Sequence, residues 1–363
     1  MISSLLFLHR GFQSAANVIH SPFRRLFSSL SGVETNTRIF ESLTHDPWYN
    51  LATEEWIFRD LDPSFQTLFL WRNGPTVVIG RNQNPWKECH LQNMERDGVH
   101  LARRRSGGGA VYQDLGNTNF TFLSPRSGYS KERNMGIIIN GLKKLGVTAE
   151  CSGRNDILCE GKKISGSAFK LAHDRAFHHG TMLLSVDMSA MSKYLNPNKL
   201  KLESKGVKSV QARVMNLTEL VPGLTHEAIC ETIRESFEEE YRQKTNVVML
   251  GDVPENNPYY KELKDWDWRF GETPHFTYEL ETRFDWGMMD VHIESDQGVI
   301  IKCRIFSDSL FPDMIDVIAN ALVKKSFDAD GIERAMKEAA FIVQSEDERT
   351  CIKDFEEWLK LTM

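Results

Sequence analysis

The sequence has little of what marks a membrane protein, a disulfide-rich protein or a protein that wraps nucleic acid. Its apolar runs are only a few residues long, far short of the roughly 20 that span a bilayer, so we expect no transmembrane helix. Its six cysteines are scattered without a C-x-x-C pair, which is typical of reduced thiols inside a cell or organelle. A net charge of −6 argues against a protein that binds nucleic acid through its overall field.

The first 33 residues contain no acidic side chain. They carry Arg10, Arg24 and Arg25, seven serines and a short apolar run at residues 5–8. An acid-free leader rich in arginine and serine is typical of a mitochondrial transit peptide, so we predict that residues 1–33 direct import into the mitochondrial matrix. A tail without function and a secretory signal are the alternatives, and the short apolar run disfavours the second.

The chain is long enough for about two domains, and its 41% apolar and 26% charged residues are typical of a soluble globular protein. Helix and strand patterns mix without strict alternation, which favours an α+β fold with a largely antiparallel sheet. The character of the sequence changes near WDWRFG at 266–271, after an acidic, proline-containing stretch at 252–258. We therefore predict a main domain at 34–271 and a smaller one at 272–363.

Several elements have clear start and stop signals. Asp46 suits a helix N-cap with Pro47 in the first turn, and Gly98 suits the end of a short helix near 88–96. Further helices are expected at residues 135–145, 217–220, 227–241, 312–324, 331–338 and 346–360. Strands are expected at residues 67–71, 76–79, 99–102, 110–112, 119–123, 157–158, 163–169, 179–186, 276–284, 289–294 and 299–305.

The densest functional signal is RRRSGGGAVY at residues 103–112. Glycines let the backbone approach a ligand, and their N–H groups can together hold an anion. The arginine fork matches phosphate or carboxylate oxygens. A hairpin turn with a solvated basic face is the plain alternative, and the string fits neither a P-loop nor a dinucleotide-binding loop.

A second cluster joins GRND at 153–156, GKKISGSAFK at 161–170 and HHGT at 178–181. A strand lysine beside small residues can project into a pocket and neutralise a phosphate, and an aspartate there can bind a divalent metal that carries nucleotide phosphates. The adjacent His178 and His179 face opposite sides of a strand, so we expect structural histidines and no metal site.

These blocks, with WRNGPTVVIGRNQNP from Trp71 and WDWRFGETPHF from Trp266, resemble the lipoate–protein ligase and lipoyltransferase family over nearly everything after the leader. The resemblance implies the biotin/lipoate ligase fold, related to class II aminoacyl-tRNA synthetase catalytic domains, with a small α+β C-terminal accessory domain. It implies an acyltransferase that attaches lipoate to a lysine of lipoyl domains, in 2-oxoacid dehydrogenase E2 subunits and the glycine cleavage H protein. It further implies a monomer without nucleic-acid or membrane partners.

The resemblance also assigns site residues. Lys163 matches the family lysine that contacts both the acyl carbonyl and the α-phosphate. The remaining contacts to the adenylate are expected from Arg104, Gly109, Ala110, Val111, Tyr112, Arg154, Asn155, Asp156 and Thr181. The implied substrate is lipoyl-AMP, or lipoate plus ATP with Mg²⁺, without a tightly bound cofactor or resident metal.

Four alternatives stay open at this point. The acyl donor can be lipoyl-AMP or the lipoyl-H protein, or the chain can be a full ATP-dependent ligase. Cys151 and Cys159 flank the second cluster, so a cysteine-dependent octanoyltransferase working through a thioester also fits the composition. A biotin ligase is disfavoured by the RRRSGGG loop. A non-catalytic protein that binds lipoyl domains is the alternative from outside the enzymes.

Overall fold

The computed structural model describes residues 37–83, 85–153, 155–196, 214–251, 256–270, 278–296, 299–327 and 329–362. All of them belong to one compact unit, Thr35–Met363. The predicted leader at 1–33 and the predicted domain boundary at 271/272 lie outside the described residues, so both stay predictions.

The centre of the molecule is an eight-stranded mixed sheet. In sheet order the strands are β11 (Val247–Leu250), β1 (Thr37–Ser42), β2 (Gln66–Trp71), β6 (Asn117–Pro125), β10 (Arg175–Leu183), β9 (Lys162–Leu171), β8 (Asp156–Cys159) and β7 (Glu150–Ser152). Within this sheet, β1 is parallel to both of its neighbours, β11 and β2, and all the other pairs are antiparallel.

Two three-stranded sheets complete the strands of the described residues. Their strands are β3 (Thr76–Ile79), β4 (His100–Arg103), β5 (Val111–Gln113), β12 (Tyr278–Phe284), β13 (Gly287–Asp296) and β14 (Val299–Ser307). The first sheet has the order β4-β3-β5, with β3 parallel to β4 and antiparallel to β5, and the glycine-rich segment lies between β4 and β5 in the chain. The second sheet, β12-β13-β14, is an antiparallel meander in the C-terminal part.

Helices flank these sheets. In chain order they are α1 (Pro47–Asp60), α2 (Pro85–Glu88), α3 (Leu91–Asp97), α4 (Lys131–Lys144), α5 (Met188–Tyr194), α6 (His226–Tyr241), α7 (Tyr260–Lys264), α8 (Trp266–Phe270), α9 (Pro312–Leu322), α10 (Ala329–Ile342) and α11 (Glu346–Thr362). Asp46 caps α1 as predicted, since its carboxylate accepts from the N–H groups of Trp48 and Tyr49. Gly98 ends α3 in the left-handed region, at φ 67°.

Separate apolar cores stabilise the two halves. One face of the central sheet packs on α4 and α6, through residues such as Phe120, Ile138 and Ile233, which are all at most 1% exposed. The C-terminal meander packs on α9, α10 and α11, with Met289 and Phe355 fully buried. The opposite face of the central sheet is covered in part by α1, whose Glu54 is hydrogen-bonded to Thr121 of β6 and His179 of β10, and the rest of that face is left free for a site.

The α+β class with a largely antiparallel sheet is confirmed. One predicted helix differs: residues 88–96 form parts of α2 and α3, because His90 takes a non-helical backbone conformation between them. The N–H of His90 donates to the carbonyl of Tyr194 at 2.9 Å, which ties this break to α5. No helix in the described ranges is both long and apolar enough to cross a membrane.

Candidate active site

A cavity of about 260 Å³ lies on the free face of the central sheet. Its walls come from the glycine-rich segment, from strands β8, β9 and β10, and from the C-terminal part of the chain. Nine of the ten site residues expected from the sequence line it: Arg104, Gly109, Ala110, Val111, Tyr112, Asn155, Asp156, Lys163 and Thr181. The tenth, Arg154, lies outside the described residues. The roles of these residues stay predictions.

The floor of the cavity is a row of residues in cross-strand register. Asn119 of β6 pairs with Thr181 of β10, Thr181 pairs with Gly166 of β9, and Gly166 pairs with Asp156 of β8. Residues directly opposite one another project to the same face of a sheet. The row therefore carries polar side chains from Asn119 to Asp156 across four strands.

Lys163 reaches this face because β9 contains a bulge. Lys163 and Gly166 are three residues apart, and in a regular strand they would face opposite sides. The register shifts between Ile157 and Leu158 of β8, so that Lys163 pairs with Leu158, on the same face as Asp156. The extra residue on β9 reverses the parity and directs Lys163 into the cavity, while Ile164 stays in the core.

Two neighbours position the Lys163 ammonium. Its Nζ lies 2.7 Å from Oδ1 of Asp156, and the lysine side chain is 30% exposed. Below it, a Cβ on Gly166 would overlap Nζ, so the glycine makes the room that the ammonium occupies. The pair places a cation at the cavity wall without closing it off from a ligand.

Arg104 braces the glycine-rich segment. Its guanidinium donates to the carbonyls of Gly107 at 2.7 Å, Gly109 at 2.8 Å and Val78 at 3.1 Å, and to Oγ of Ser106 at 3.1 Å. Burial lowers the pKa of Arg104 to about 10. Arg104 thus holds the shape of the segment in addition to lining the cavity.

Arg103 and Arg105, on either side of Arg104, also contact groups of the protein itself. Arg103 donates to backbone carbonyls of the 80–83 turn and of residues 268 and 269, and burial lowers its pKa to about 9. Arg105 pairs with Glu262 and lies over the ring of Trp268, 4.1 Å from its centroid. Of the three arginines predicted to make a concave, positively charged loop, Arg104 is the one that lines the cavity, whereas the guanidinium groups of Arg103 and Arg105 contact other parts of the protein.

The glycines also differ from the expected anion nest. The N–H of Gly108 donates to the carbonyl of Ser309 at 2.9 Å, so it is not available to a ligand. Gly108 sits at φ 93°, in the left-handed region that favours glycine. A Cβ on Gly107 would overlap the Ser309 carbonyl. These glycines serve close approach between two parts of the chain.

The adjacent histidines face opposite sides of β10, as predicted. His178 is fully buried among Phe120, Phe122 and Phe169, and burial lowers its pKa to about 3. His179 lines the cavity. No group of three or more histidine, cysteine, aspartate or glutamate side chains suited to a metal occurs among the described residues.

His179 belongs to a buried hydrogen-bonded chain that sequence reasoning did not identify. Its Nδ1 lies 2.8 Å from Oε1 of Glu54, and its Nε2 lies 2.6 Å from Oγ of Ser106. Thr121 donates to the same Glu54 oxygen at 2.7 Å. Because Ser106 also accepts from Arg104, this chain connects β10 with the glycine-rich segment.

The C-terminal part supplies residues that sequence reasoning assigned to a separate domain. Arg283 and Asp308 line the cavity and form an ion pair at 3.3 Å, and Leu310 lies beside them. Asp308 is held in place by the N–H of Met288, which donates to its Oδ1 at 2.7 Å. The lining residues come from distant parts of the sequence, and only a long-range contact could have revealed them.

The comparisons with known proteins agree with this geometry. The family described as lipoyl protein ligase A/B catalytic domain matches residues 46–238, and the bacterial lipoate protein ligase C-terminus matches residues 273–359. A curated lipoate-protein ligase A of Psychrobacter cryohalolentis is 49% identical over 333 residues, covering 89% of this chain and 97% of that protein.

Solved structures show the same similarity. The crystal structure of P. falciparum LipL1 in complex with lipoate matches with a TM-score of 0.77 and 32% identity, over 90% of this chain and 99% of that one. A bipartite lipoate protein ligase of Thermoplasma acidophilum, described with its E2 lipoyl domain, matches with a TM-score of 0.57 and 26% identity, over 67% of this chain and 100% of that one. The lipoate ligase fold with a small C-terminal α+β part is confirmed, and this chain belongs to the lipoyl protein ligase A/B family of enzymes.

Proposed function

We propose that this member of the family joins lipoate to a lysine of a lipoyl domain through lipoyl-AMP bound in the cavity, with Lys163 facing the acyl carbonyl and the phosphate. The observation that carries the proposal is the placement of Lys163, since its ammonium shares one cavity with the glycine-rich segment and the polar row of the sheet. The P. falciparum relative was crystallised in complex with lipoate, which supports lipoate as the acyl group that this chain transfers.

The chemistry needs an activated acyl group. A carboxylate is a poor electrophile, because its carbonyl already carries negative charge, and formation of the acyl-adenylate supplies AMP as a leaving group. The acceptor lysine then attacks the carbonyl, a C–N bond forms, and the C–O bond to the phosphate breaks. Lys163 stabilises the charge that grows on the carbonyl oxygen and on the departing phosphate.

Asp156 positions this lysine before the substrate arrives. The carboxylate holds the Lys163 ammonium at 2.7 Å, on the face where the adenylate would lie. Where Mg²⁺ accompanies ATP as part of the substrate, the carboxylate of Asp156 would be one oxygen ligand for it, and the ion would neutralise charge on the nucleotide phosphates.

The full ATP-dependent reaction is the favoured form. The relative that is 49% identical over 97% of its length is named a lipoate-protein ligase A, and this chain carries both the catalytic and the C-terminal family regions. Transfer from preformed lipoyl-AMP or from a lipoyl-H protein is the alternative. Both forms share the amide-forming step at Lys163.

A cysteine-dependent thioester route has less support. None of the described cysteines lines the cavity. Cys151 lies exposed on β7, the edge strand of the sheet and outside the cavity, and partial desolvation raises the pKa of its thiol. Cys159 is buried, and its pKa is raised for the same reason. A raised pKa disfavours the thiolate that such a mechanism needs.

The acceptors that we propose are the lipoyl domains of 2-oxoacid dehydrogenase E2 subunits and the glycine cleavage H protein. The archaeal relative described with its E2 lipoyl domain supports this class of partner. We further propose that the protein acts in the mitochondrial matrix, based on the acid-free leader, and that it is a monomer, as the resemblance to the family implies. Import of a reporter fused to residues 1–33 tests the location, and retention of the reporter in the cytosol would refute it.

One experiment separates the acyl donors. Purified chain is mixed with an apo lipoyl domain and, in parallel, with lipoate plus ATP and Mg²⁺, with lipoyl-AMP, or with a lipoyl-H protein, and the mass of the domain is measured. Full ligation predicts lipoylation in the first two mixtures. Lipoylation from lipoyl-AMP alone would limit the chain to transfer, and no lipoylation from any donor would refute the proposed function.

A further inference from the structure

A continuous chain of buried carboxamides runs from the protein's surface layer to the cavity. It consists of Asn50, Asn73, Gln113, Asn119 and Asn117, each at most 3% exposed. The last links, Gln113 and Asn119, line the cavity. Burying a carboxamide costs free energy unless its N–H and C=O groups are hydrogen-bonded. Five buried carboxamides in contact are therefore a candidate functional feature.

The orientation of the carboxamide groups is set at Asn50, the end of the row that lies farthest from the cavity. Nδ2 of Asn50 lies 3.2 Å from the carbonyl oxygen of Thr44 and 3.0 Å from that of Arg72. Backbone carbonyls only accept hydrogen bonds, so the atom facing them must be the nitrogen. The same nitrogen lies 2.9 Å from Oδ1 of Asn73. Its two N–H groups are shared among these three oxygens, and Asn73 accepts through Oδ1 because a nitrogen facing Nδ2 of Asn50 would find no acceptor there.

The same order of donor and acceptor continues along the carboxamides towards the cavity. With its oxygen directed at Asn50, Asn73 turns Nδ2 towards Oε1 of Gln113, at 2.8 Å. Gln113 in turn directs Nε2 at Oδ1 of Asn119, at 2.9 Å. Asn117 donates to that same Asn119 oxygen at 2.9 Å. A flip of any one amide would place like groups against each other.

Asn119 is thereby fixed as a hydrogen-bond donor. Its oxygen accepts from two amides, and its Nδ2 makes one long bond, 3.4 Å to Oε1 of Gln113. A carboxamide nitrogen carries two N–H groups, and within the described part of the chain the second has no acceptor. The residue is 1% exposed and lines the cavity, so this N–H belongs to whatever fills the cavity.

The register locates this donor relative to the reacting centre. Asn119 stands in the row with Thr181 and Gly166, and Gly166 lies under the Lys163 ammonium. Two strand spacings, roughly 10 Å, separate the backbones of Asn119 and Gly166. The partner of Asn119 is therefore an acceptor atom some distance from the carbonyl and phosphate that Lys163 faces.

We propose that Asn119 is a specificity-determining residue, which donates a hydrogen bond to an acceptor oxygen or nitrogen of the acyl-adenylate and is held in that orientation by the carboxamide chain from Asn50. The inference rests on the proposed function. A fixed donor discriminates because a ligand without the matching acceptor leaves a buried N–H unpaired. The acceptor belongs either to the nucleotide or to the acyl group.

The test replaces the donor and keeps the two hydrogen bonds that the Asn119 oxygen accepts. In Asn119→Asp, one carboxylate oxygen still accepts from Gln113 and Asn117, whereas the other takes the place of Nδ2, loses the long bond to Gln113 and presents an acceptor to the cavity. Asn93→Asp is the matched control, since it adds the same charge at α3, where the Asn93 side chain is bonded to the carbonyl of Lys193, outside the cavity. The probe is 5′-O-(N-lipoylsulfamoyl)adenosine, a hydrolysis-resistant mimic of lipoyl-AMP, with lipoate alone and AMP alone as separate arms.

We expect Asn119→Asp to raise the Kd of the mimic about tenfold or more, as calorimetry measures it, and to raise KM more than it lowers kcat. Asn93→Asp should bind as the wild type does. A loss that also appears with AMP places the acceptor on the nucleotide, and a loss with lipoate places it on the acyl group. A Kd equal to that of Asn93→Asp would overturn the inference while leaving the proposed function intact.

A second variant covers the case in which the aspartate prevents folding. Asn119→Ser is too short to reach the ligand and adds no charge, so its Kd should also rise, and an unchanged Kd would again overturn the inference. If the wild type itself fails to bind the mimic, the proposed function fails and the inference falls with it. Thermal unfolding without ligand checks that each variant is folded.

Discussion

The N–H of Gly108 donates a hydrogen bond to the carbonyl of Ser309, at 2.9 Å, and so joins the glycine-rich segment to the loop that follows β14. The contact explains two sequence features together. A run of glycines allows the backbones to approach, and the C-terminal part gains a fixed position over the cavity that it helps to line. In this family member the glycine-rich segment serves the assembly of the site.

Gly107→Ala should push the glycine-rich segment away from the loop that follows β14. The added Cβ would overlap the Ser309 carbonyl, a backbone atom that cannot move alone. We expect the free energy of unfolding to fall by about 1–3 kcal/mol and lipoylation to fall with it. Gly136→Ala is the matched control, because that helix position is open and alanine favours a helix. Equal unfolding curves for the two variants would contradict the close contact.

Gly166→Ala should impair activity without harming the fold. The added methyl would meet the end of the Lys163 side chain, which is flexible and can move away. The ammonium would then leave its place beside Asp156, and we expect kcat to fall roughly 10- to 100-fold. Circular dichroism and thermal unfolding should match the wild type. An unchanged kcat would show that the position of Nζ over Gly166 is unimportant.

His178 should make stability depend on pH. Burial lowers its pKa from 6.5 to about 3, so below pH 6.5 the unfolded chain binds a proton that the folded protein does not. Stability is therefore retained above pH 6.5 and falls as the pH drops towards 3, by up to about 1.4 kcal/mol per pH unit. His226, whose pKa is lowered to about 4, adds a loss of the same sign.

His178→Phe tests that assignment. The ring nitrogens of His178 have no hydrogen-bond partner among the described residues, and three phenylalanine rings surround it. We expect the variant to be more stable than the wild type, by a margin that grows by about 2 kcal/mol between pH 7 and pH 5. Urea unfolding at the two pH values measures it. A margin that does not change with pH would contradict the buried neutral histidine.

Much of the fold could be predicted from local signals. Asp46 and Pro47 marked the start of α1, Gly98 marked the end of α3, and the mixed order of elements gave the α+β class. These signals are short in range, since caps, turns and periodicity depend on residues a few positions apart. Separately, the resemblance to the family predicted nine residues that line one cavity.

What the sequence could not show depends on distant contacts. The bulge that turns Lys163 into the cavity depends on register with β8, and simple alternation from Gly166 would have placed the lysine on the wrong face. The guanidinium N–H groups of Arg104 donate to the carbonyls of Gly107 and Gly109 because the glycine-rich segment folds over this side chain. The alternation of Asn117, Asn119 and Thr121 along a fully buried strand was the one available signal for the polar floor.

The most direct test of the account compares Lys163→Ala with Lys162→Ala in single-turnover amide formation from lipoyl-AMP to an apo lipoyl domain. The two lysines are adjacent on β9, but only Lys163 lines the cavity, and Lys162 is exposed. The account predicts that Lys163→Ala abolishes amide formation in a folded protein and that Lys162→Ala keeps the wild-type rate. A wild-type rate in Lys163→Ala would contradict the central claim.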